Sequence, residues 1–347
     1  MPSETVTPER TGNTALDWWM TLCAGWMLVG LYLDGWAHRH IPNLETFFTL
    51  WHGVLYTGFF ATFGLLGVLA LRHHARGWPW LESVPPGYRL SLIGLLIFFA
   101  GGVGDLLWHT LLGVEANIEA LLSPTHLILA IGGTLIGAGP FRAQWHRRDS
   151  GPGLPGLPDL IRHLPMLLSL TYGWSVLTFF TQYTHPFVHP WPSGPTPQEL
   201  FNPQRMGLSA ILIQSALMNG MLLLVIRRWR RRPLPFGSFT VMLTTNAALM
   251  GILETDFRFI AVGLPAGLMA DGLYLRMNPS LSPLRFRLFA FLVPAIYFTW
   301  YFPVLAFTDG LWWSAPLWTG SIAMAGLIGW LLSYLAWPPA TPLEPAD

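Results

Sequence analysis

Lysine is absent from the 347-residue chain, so all 19 basic residues are arginine, and cysteine occurs once, at Cys23. A single cysteine excludes a disulfide framework and a thiolate metal cluster within one chain. Any metal must therefore be held by histidines and carboxylates. Charge of either sign is scarce: 11% of residues are charged and 52% hydrophobic, with a mean hydropathy of +0.44. Soluble domains carry about 25% charged residues, so soluble enzyme folds are excluded. In their place are 22 Phe, 18 Trp and 9 Tyr beside 35 Gly, a composition for an all-α polytopic membrane bundle with aromatic belts and small-residue helix contacts. The all-arginine bias points to a GC-rich bacterial genome, hence to the bacterial inner membrane.

Apolar runs near the roughly 20 residues needed to span a bilayer fall at 17–38, 46–71, 89–112, 118–140, 163–184, 206–226, 236–254, 257–275, 287–308 and 313–336. Ten transmembrane helices are expected. The seventh and eighth, separated only by Glu254, Thr255 and Asp256, are also readable as a re-entrant pair. Residues 1–16 lack a basic n-region and a small-residue cleavage site, so no removable signal peptide is expected. Cytoplasmic loops concentrate positive charge. With Arg10, the even-numbered connections hold 16 arginines and the odd-numbered ones only Arg39, Arg205 and Arg258, so both termini are expected in the cytoplasm. The domain reading is a tail (1–16), a metal-binding bundle of two repeated hairpins (17–141), a linker (142–162), a second bundle of about six helices (163–337) and a C-terminal tail (338–347).

The first helix ends Asp34-Gly-Trp-Ala-His38, and the second begins Glu45-Thr-Phe-Phe-Thr-Leu-Trp-His52. The next pair repeats the order, with Asp105-Leu-Leu-Trp-His109 and then Glu119-Ala-Leu-Leu-Ser-Pro-Thr-His126. With 18 acids and 11 histidines in the chain, roughly 0.6 chance matches arise for any one acid-to-His spacing. Asp159 and His163 are such a match, read as an ordinary pair at a helix start. The joint event is more specific, because both spacings recur in the same order at equivalent helix ends. At 1.5 Å per residue, Asp34 lies about 6 Å deeper than His38, and His52 about 10 Å deeper than Glu45. A lower rung of Asp34, His52, Asp105 and His126 is expected beneath an upper rung of His38, Glu45, His109 and Glu119, with Pro124 a source of helix bending.

Ionisable groups are costly in a bilayer and mark function by default, and four-helix bundles build metal sites from inward-facing Glu and His. These eight residues fit one or two ions of iron, copper, manganese or zinc, some acting through the ligands rather than on the metal. The alternatives are polar caps at the interface and a haem held by two histidines, which leaves four acids unexplained. Glu115, Tyr183, His185, His189, Glu254, Asp256 and Asp309 face the same outer side. Pro186 and Pro190 break any helix through His185 and His189, which are read as solvated loop histidines. Glu254, Asp256 and Arg258 read as a solvated turn, and Asp271 as a structural residue neutralised by Arg276. Gly101, Gly102, Gly104, Gly132, Gly133 and Gly137 serve close helix approach.

The Asp34-x3-His38 pair, followed after thirteen residues by His52, resembles the copper-site hairpin in the C subunit of the particulate methane and ammonia monooxygenases. The resemblance implies Asp34, His38 and His52 as ligands and copper as the metal. Ten expected helices, a second copy of the motif and the added glutamates depart from that pattern and set a carboxylate-rich di-metal centre, iron included, beside copper as an expectation. The functional expectation is a membrane oxidoreductase, monooxygenase-like, acting on a small apolar substrate, with an electron donor or other membrane subunit as partner because no soluble redox module is present. Metal transport or delivery, a zinc-dependent membrane hydrolase and a structural subunit are the alternatives. Transport is disfavoured by the stretches 19–25, 59–65, 91–97 and 127–133 on the inner side of the first four helices, which carry no carboxylate or histidine to pass an ion onward. Nucleic acid is not implied, since topology alone accounts for the arginine clusters.

Overall fold

In lipid every backbone N–H and C=O must be satisfied within the segment, which leaves helices as the form for long apolar runs. The computed structural model describes residues 13–41, 47–113, 117–147, 156–194 and 202–339, and among them it is helical with no strand. Twelve α-helical segments follow one another: α1 (Thr14–His40), α2 (Leu50–His74), α3 (Arg89–Leu112), α4 (Asn117–Leu122), α5 (Pro124–Gly137), α6 (Gly139–His146), α7 (Leu157–Phe180), α8 (Pro203–Arg228), α9 (Ser238–Glu254), α10 (Ile260–Met277), α11 (Pro283–Thr308) and α12 (Ala315–Ala336). Seven runs are long and apolar enough to cross a membrane: Thr14–His40, Leu50–His74, Pro86–Leu112, Pro124–His146, Pro203–Arg228, Pro283–Thr308 and Ala315–Ala336. Helices α7, α9 and α10 occupy the other three expected positions. The chain is a multi-pass helical protein suited to a lipid bilayer.

The fourth expected helix is broken rather than bent. Ser123 adopts extended backbone with ψ 145°, and Pro124 opens α5. The ring of Pro124 pushes its predecessor out of the helical region, and its missing N–H is no loss at a helix start. The expected linker at 142–162 is likewise narrower, because α6 runs to His146 and α7 starts at Leu157, with 148–155 outside the described residues. The seventh and eighth runs are two separate helices joined through Thr255, which adopts positive φ (55°).

Two compact units divide the chain: Met1–Tyr183 with Thr244–Ile260, and Thr184–Leu243 with Ala261–Asp347. In the first unit, α1 pairs with α2 and α3 with α5, and glycines set both approaches. A Cβ on Gly30 would fall 2.5 Å from the Leu55 backbone, and one on Gly58 would fall 2.6 Å from Met27 N. In the other hairpin a Cβ on Gly101 would meet the Leu129 side chain at 3.2 Å, and one on Gly132 would meet Phe98 N at 2.6 Å. Helix α7 is tied in by polar contacts: Tyr32 donates to the Ser175 carbonyl (2.8 Å), and Asn246 donates to Ser175 Oγ (3.0 Å) and Thr178 Oγ1 (3.1 Å). At the other end of α1, buried Asp17 accepts from Tyr88 (2.6 Å) and pairs with Arg147.

In the second unit, α8, α11 and α12 associate, and Asp271 on α10 supplies the N-terminal end of α9 with acceptors. Its carboxylate receives Phe239 N–H and Thr240 N–H at 3.0 Å each, and Thr240 Oγ1 at 2.6 Å. Asp271 is therefore structural as expected, but its partners are the orphan amides of a helix start rather than Arg276.

Candidate metal centre

Hydroxyl caps decide where two of the histidines sit. Thr49 Oγ1 accepts His52 N–H (3.1 Å) at the start of α2, and Ser123 Oγ accepts His126 N–H (3.3 Å) at the start of α5. Both histidines thus occupy the third helical position, under an N-cap that satisfies an orphan amide. Each Asp-x3-His pair lies in the closing turns of the preceding helix, with both side chains on one face. The helix turn and the hairpin together converge three ligand atoms.

Asp34 Oδ2 lies 3.7 Å from His38 Nε2 and 3.5 Å from His52 Nε2. Asp105 Oδ1 lies 3.5 Å from His109 Nε2 and 3.2 Å from His126 Nε2. Within each group, Asp34–His38–His52 and Asp105–His109–His126, all three candidate ligand atoms fall within 4.8 Å of one another. Three of the four carboxylate–imidazole distances exceed the roughly 2.7–3.2 Å of a hydrogen bond. They match ligands sharing an ion: with bonds of about 2.1 Å, neighbouring donor atoms stand about 3.0 Å apart at right angles and about 3.4 Å apart in a tetrahedron.

The ring nitrogens carry a second argument. His52 Nδ1 lies 2.6 Å from the Phe47 carbonyl, and His109 Nδ1 lies 3.4 Å from the Gly113 carbonyl. A carbonyl only accepts, so at the short contact Nδ1 of His52 must carry the proton. In the neutral ring, Nε2 then presents its lone pair to the Asp34 carboxylate, a repulsion that either a second proton on Nε2 or a metal ion between them removes. Ligating histidines use this arrangement, one nitrogen donating to a carbonyl while the other faces the metal.

The two groups lie at one end of the first unit, on the last turns of α1 and α3 and the first turns of α2 and α5. An aromatic wall joins them. The Phe47 ring stacks on His52 (4.8 Å between centroids) and lies 6.2 Å from the His109 ring. Tyr56, one turn below His52, reaches across to α3 over Gly102, where an added Cβ would meet its hydroxyl at 3.1 Å. The groups are not equal. Asp105 is 1% exposed and accepts a further bond from Thr125 Oγ1 (2.9 Å), whereas the Asp34 side chain is 14% exposed.

Of the eight residues singled out in the sequence, six stand in these two groups. Glu119 is exposed on α4 and is not among the clustered ligand atoms, while Glu45 lies outside the described residues, as does Glu115. Glu254 pairs with Arg39, and Asp256 with Arg258 (2.8 Å). Asp159 and His163 are buried at the start of α7. His185 departs from expectation: it is buried at 3% exposure rather than solvated, and its Nδ1 accepts Phe187 N–H (3.1 Å) because Pro186 folds the chain back on itself. Burial, with the neighbouring His189 second, pushes the His185 imidazole down to about 3. The sequence reading passed over Phe47, Tyr56 and Thr125, and gave Gly102 only a part in helix packing. It also missed the Thr49-x2-His52 and Ser123-x2-His126 caps, whose shared spacing was there to be read.

Searches of protein-family models, curated proteins and solved structures find no match to this chain.

Proposed function

We propose that the chain is a membrane metalloprotein that holds a transition-metal ion in each Asp-His-His group and works as an oxidoreductase on a small apolar substrate. The observation that carries the reading is the paired sets of two imidazoles and one carboxylate, at ligand-edge spacing and inside an apolar bundle. Two histidines and one carboxylate leave open positions on an ion and are the donor set of non-haem iron oxygenases; copper also takes imidazole and carboxylate. Iron and copper are therefore the favoured metals. Among the described residues each group offers two imidazoles and one carboxylate, and Glu119 adds no further carboxylate to either. A bound ion would supply Lewis acidity and one-electron chemistry, and the surrounding helices would exclude water from its open positions.

Ten crossings, cytoplasmic termini and a centre facing the periplasm of a bacterial inner membrane complete the proposal, resting on the arginine distribution. The two hairpins read as a duplication, supported by matched offsets: the glycine four residues before each Asp meets the leucine three after the second His (Gly30–Leu55, Gly101–Leu129). The glycine six after that His meets the residue seven before the Asp (Gly58–Met27, Gly132–Phe98). Electrons would come from a partner protein.

Elemental analysis of the detergent-purified protein by plasma mass spectrometry, beside a His52→Ala/His126→Ala variant, tests the reading. Near-stoichiometric iron or copper in the wild type that the variant loses is the expected result. Zinc would redirect the proposal to hydrolysis or transport, and equal background metal in both proteins would overturn it.

A further inference from the structure

The hydroxyl of Tyr56 is buried and makes no hydrogen bond among the described residues. A polar atom without a partner inside an apolar bundle is the kind of feature that marks an absent ligand. Its surroundings narrow the choice. The ring is fixed by Phe47 (5.7 Å between centroids), His52 (6.2 Å) and Phe98 (6.2 Å), and both Asp34 and Asp105 act on it electrostatically. The phenol thus runs from the His52 side of α2 to α3 at Gly102, three residues before Asp105. Room for it comes from Gly102, one turn before Asp105, whose missing Cβ leaves the space the ring and hydroxyl occupy.

We infer that Tyr56 is the hydrogen-bond donor to a small anionic ligand bound at the open positions of the two Asp-His-His groups. The inference rests on the metal reading above. A phenol is neutral at physiological pH and donates one O–H. Directed at an anion on a metal, it makes a charge-assisted bond, stronger than a neutral one, and it adds no charge of its own between two carboxylates. No side chain among the described residues competes for that proton, so the donor is poised for a ligand that arrives from outside the chain. The ion would hold the anion and the phenol would orient it.

Azide, a small anion that absorbs when bound to Cu(II), is the probe. Purified full-length protein is loaded with Cu(II) and titrated with azide, alongside Tyr56→Phe and Gly102→Ala. The first variant deletes the hydroxyl; the second keeps it but places a methyl 2.9 Å from the ring, displacing the phenol. Both variants are expected to hold copper as the wild type does and to bind azide about tenfold or more weakly, the effect of one lost bond to a charged partner. The apoprotein of Tyr56→Phe should melt no lower than wild type, since the hydroxyl makes no bond there. Equal azide affinity in wild type and Tyr56→Phe would overturn the inference while leaving the metal centre intact. Loss of copper from Tyr56→Phe would overturn it by making the phenol a ligand instead. A wild type that takes up no copper at His38, His52, His109 and His126 would overturn the metal reading itself.

Discussion

The two hairpins should respond differently to the same conservative change, which would separate the role of helix approach from that of the candidate ligands. Gly30 and Gly101 occupy equivalent places, four residues before Asp34 and Asp105. A methyl added at Gly30 lands 2.5 Å from Leu55 N and Cα and 2.9 Å from Val54 C, all backbone atoms of α2. Backbone cannot rotate away, so reaching ordinary contact at about 3.4 Å requires α1 and α2 to part by about 0.9 Å one turn from the ligands, at the 1–3 kcal/mol typical of overpacking. Added to the 3.5 Å between Asp34 and His52, that displacement brings the pair to about 4.4 Å, beyond the roughly 4.2 Å that two ligands on 2.1 Å bonds span even on opposite sides of an ion. At Gly101 the three atoms nearest the methyl are side-chain carbons, Ile128 Cγ2 at 3.0 Å and Leu129 Cδ2 and Cγ at 3.2 Å, which need give only a few tenths of an ångström. Metal content per chain, measured on purified Gly30→Ala and Gly101→Ala, should fall by one ion in the first and stay at the wild-type value in the second. Full metal in Gly30→Ala, or equal loss in both, would refute the argument that helix separation holds the first group together.

Further predictions follow from groups outside the centre. Because the folded state holds the His185 imidazole near 3 against 6.5 when unfolded, the unfolded chain binds the extra proton below neutrality. Stability from this group is complete above pH 6.5 and falls by about 1.4 kcal/mol per unit as pH drops toward 3. Thermal melts between pH 7 and 4.5 should therefore slope less in His185→Asn, which keeps an acceptor for Phe187 N–H; parallel slopes would reject the assignment. Asp271→Ala strips three bonds from the start of α9 and should cost about 2–4 kcal/mol or more, while Arg276→Gln should be nearly silent, a comparison read directly from melting temperatures. Thr49→Ala removes the cap over His52 and should cost about 1 kcal/mol with a measurable weakening of metal retention during dialysis against a chelator.

Much of the first unit was legible because apolar length and the Asp-x3-His spacing are both readable from one residue to the next. Asp34, His38 and His52 converge because helical periodicity puts the first two on one face and the hairpin brings the third beneath them. Glu119 escaped that logic. Its depth relative to His126 rested on one continuous, at most bent, helix, whereas the Ser123-Pro124 step separates α4, which carries Glu119, from α5, which carries His126, and Glu119 is exposed. His185 misled in the opposite direction, since prolines on either side of a histidine signal a loop but say nothing about whether that loop is covered; here a tight backward turn buries it. Asp271 shows a third limit: its charge called for a cation nearby in sequence, whereas the positive end of α9, 31 and 32 residues away, met the need. Contacts between distant elements, such as Tyr56 over Gly102, leave no local periodic trace at all.

The remaining asymmetry between the two groups has a consequence for the order in which they fill. Asp105 is bound by Thr125, shielded at 1% exposure and 3.2 Å from His126. Asp34 has no such donor among the described residues, is more open, and sits with its histidines at 3.5 and 3.7 Å. A carboxylate already oriented by a hydroxyl loses less freedom on binding an ion and holds it in a drier place, so on the proposed metal reading the second group would be the tighter site. The more open Asp34 group would exchange its ion more readily. Stepwise removal by a chelator should then empty the Asp34 group first, and Thr125→Val, by freeing Asp105, should bring the two release steps closer together. A single release step in the wild type, or a Thr125→Val profile identical to it, would mean that the hydroxyl and the burial do not govern retention, and that the two groups share their ions as one site.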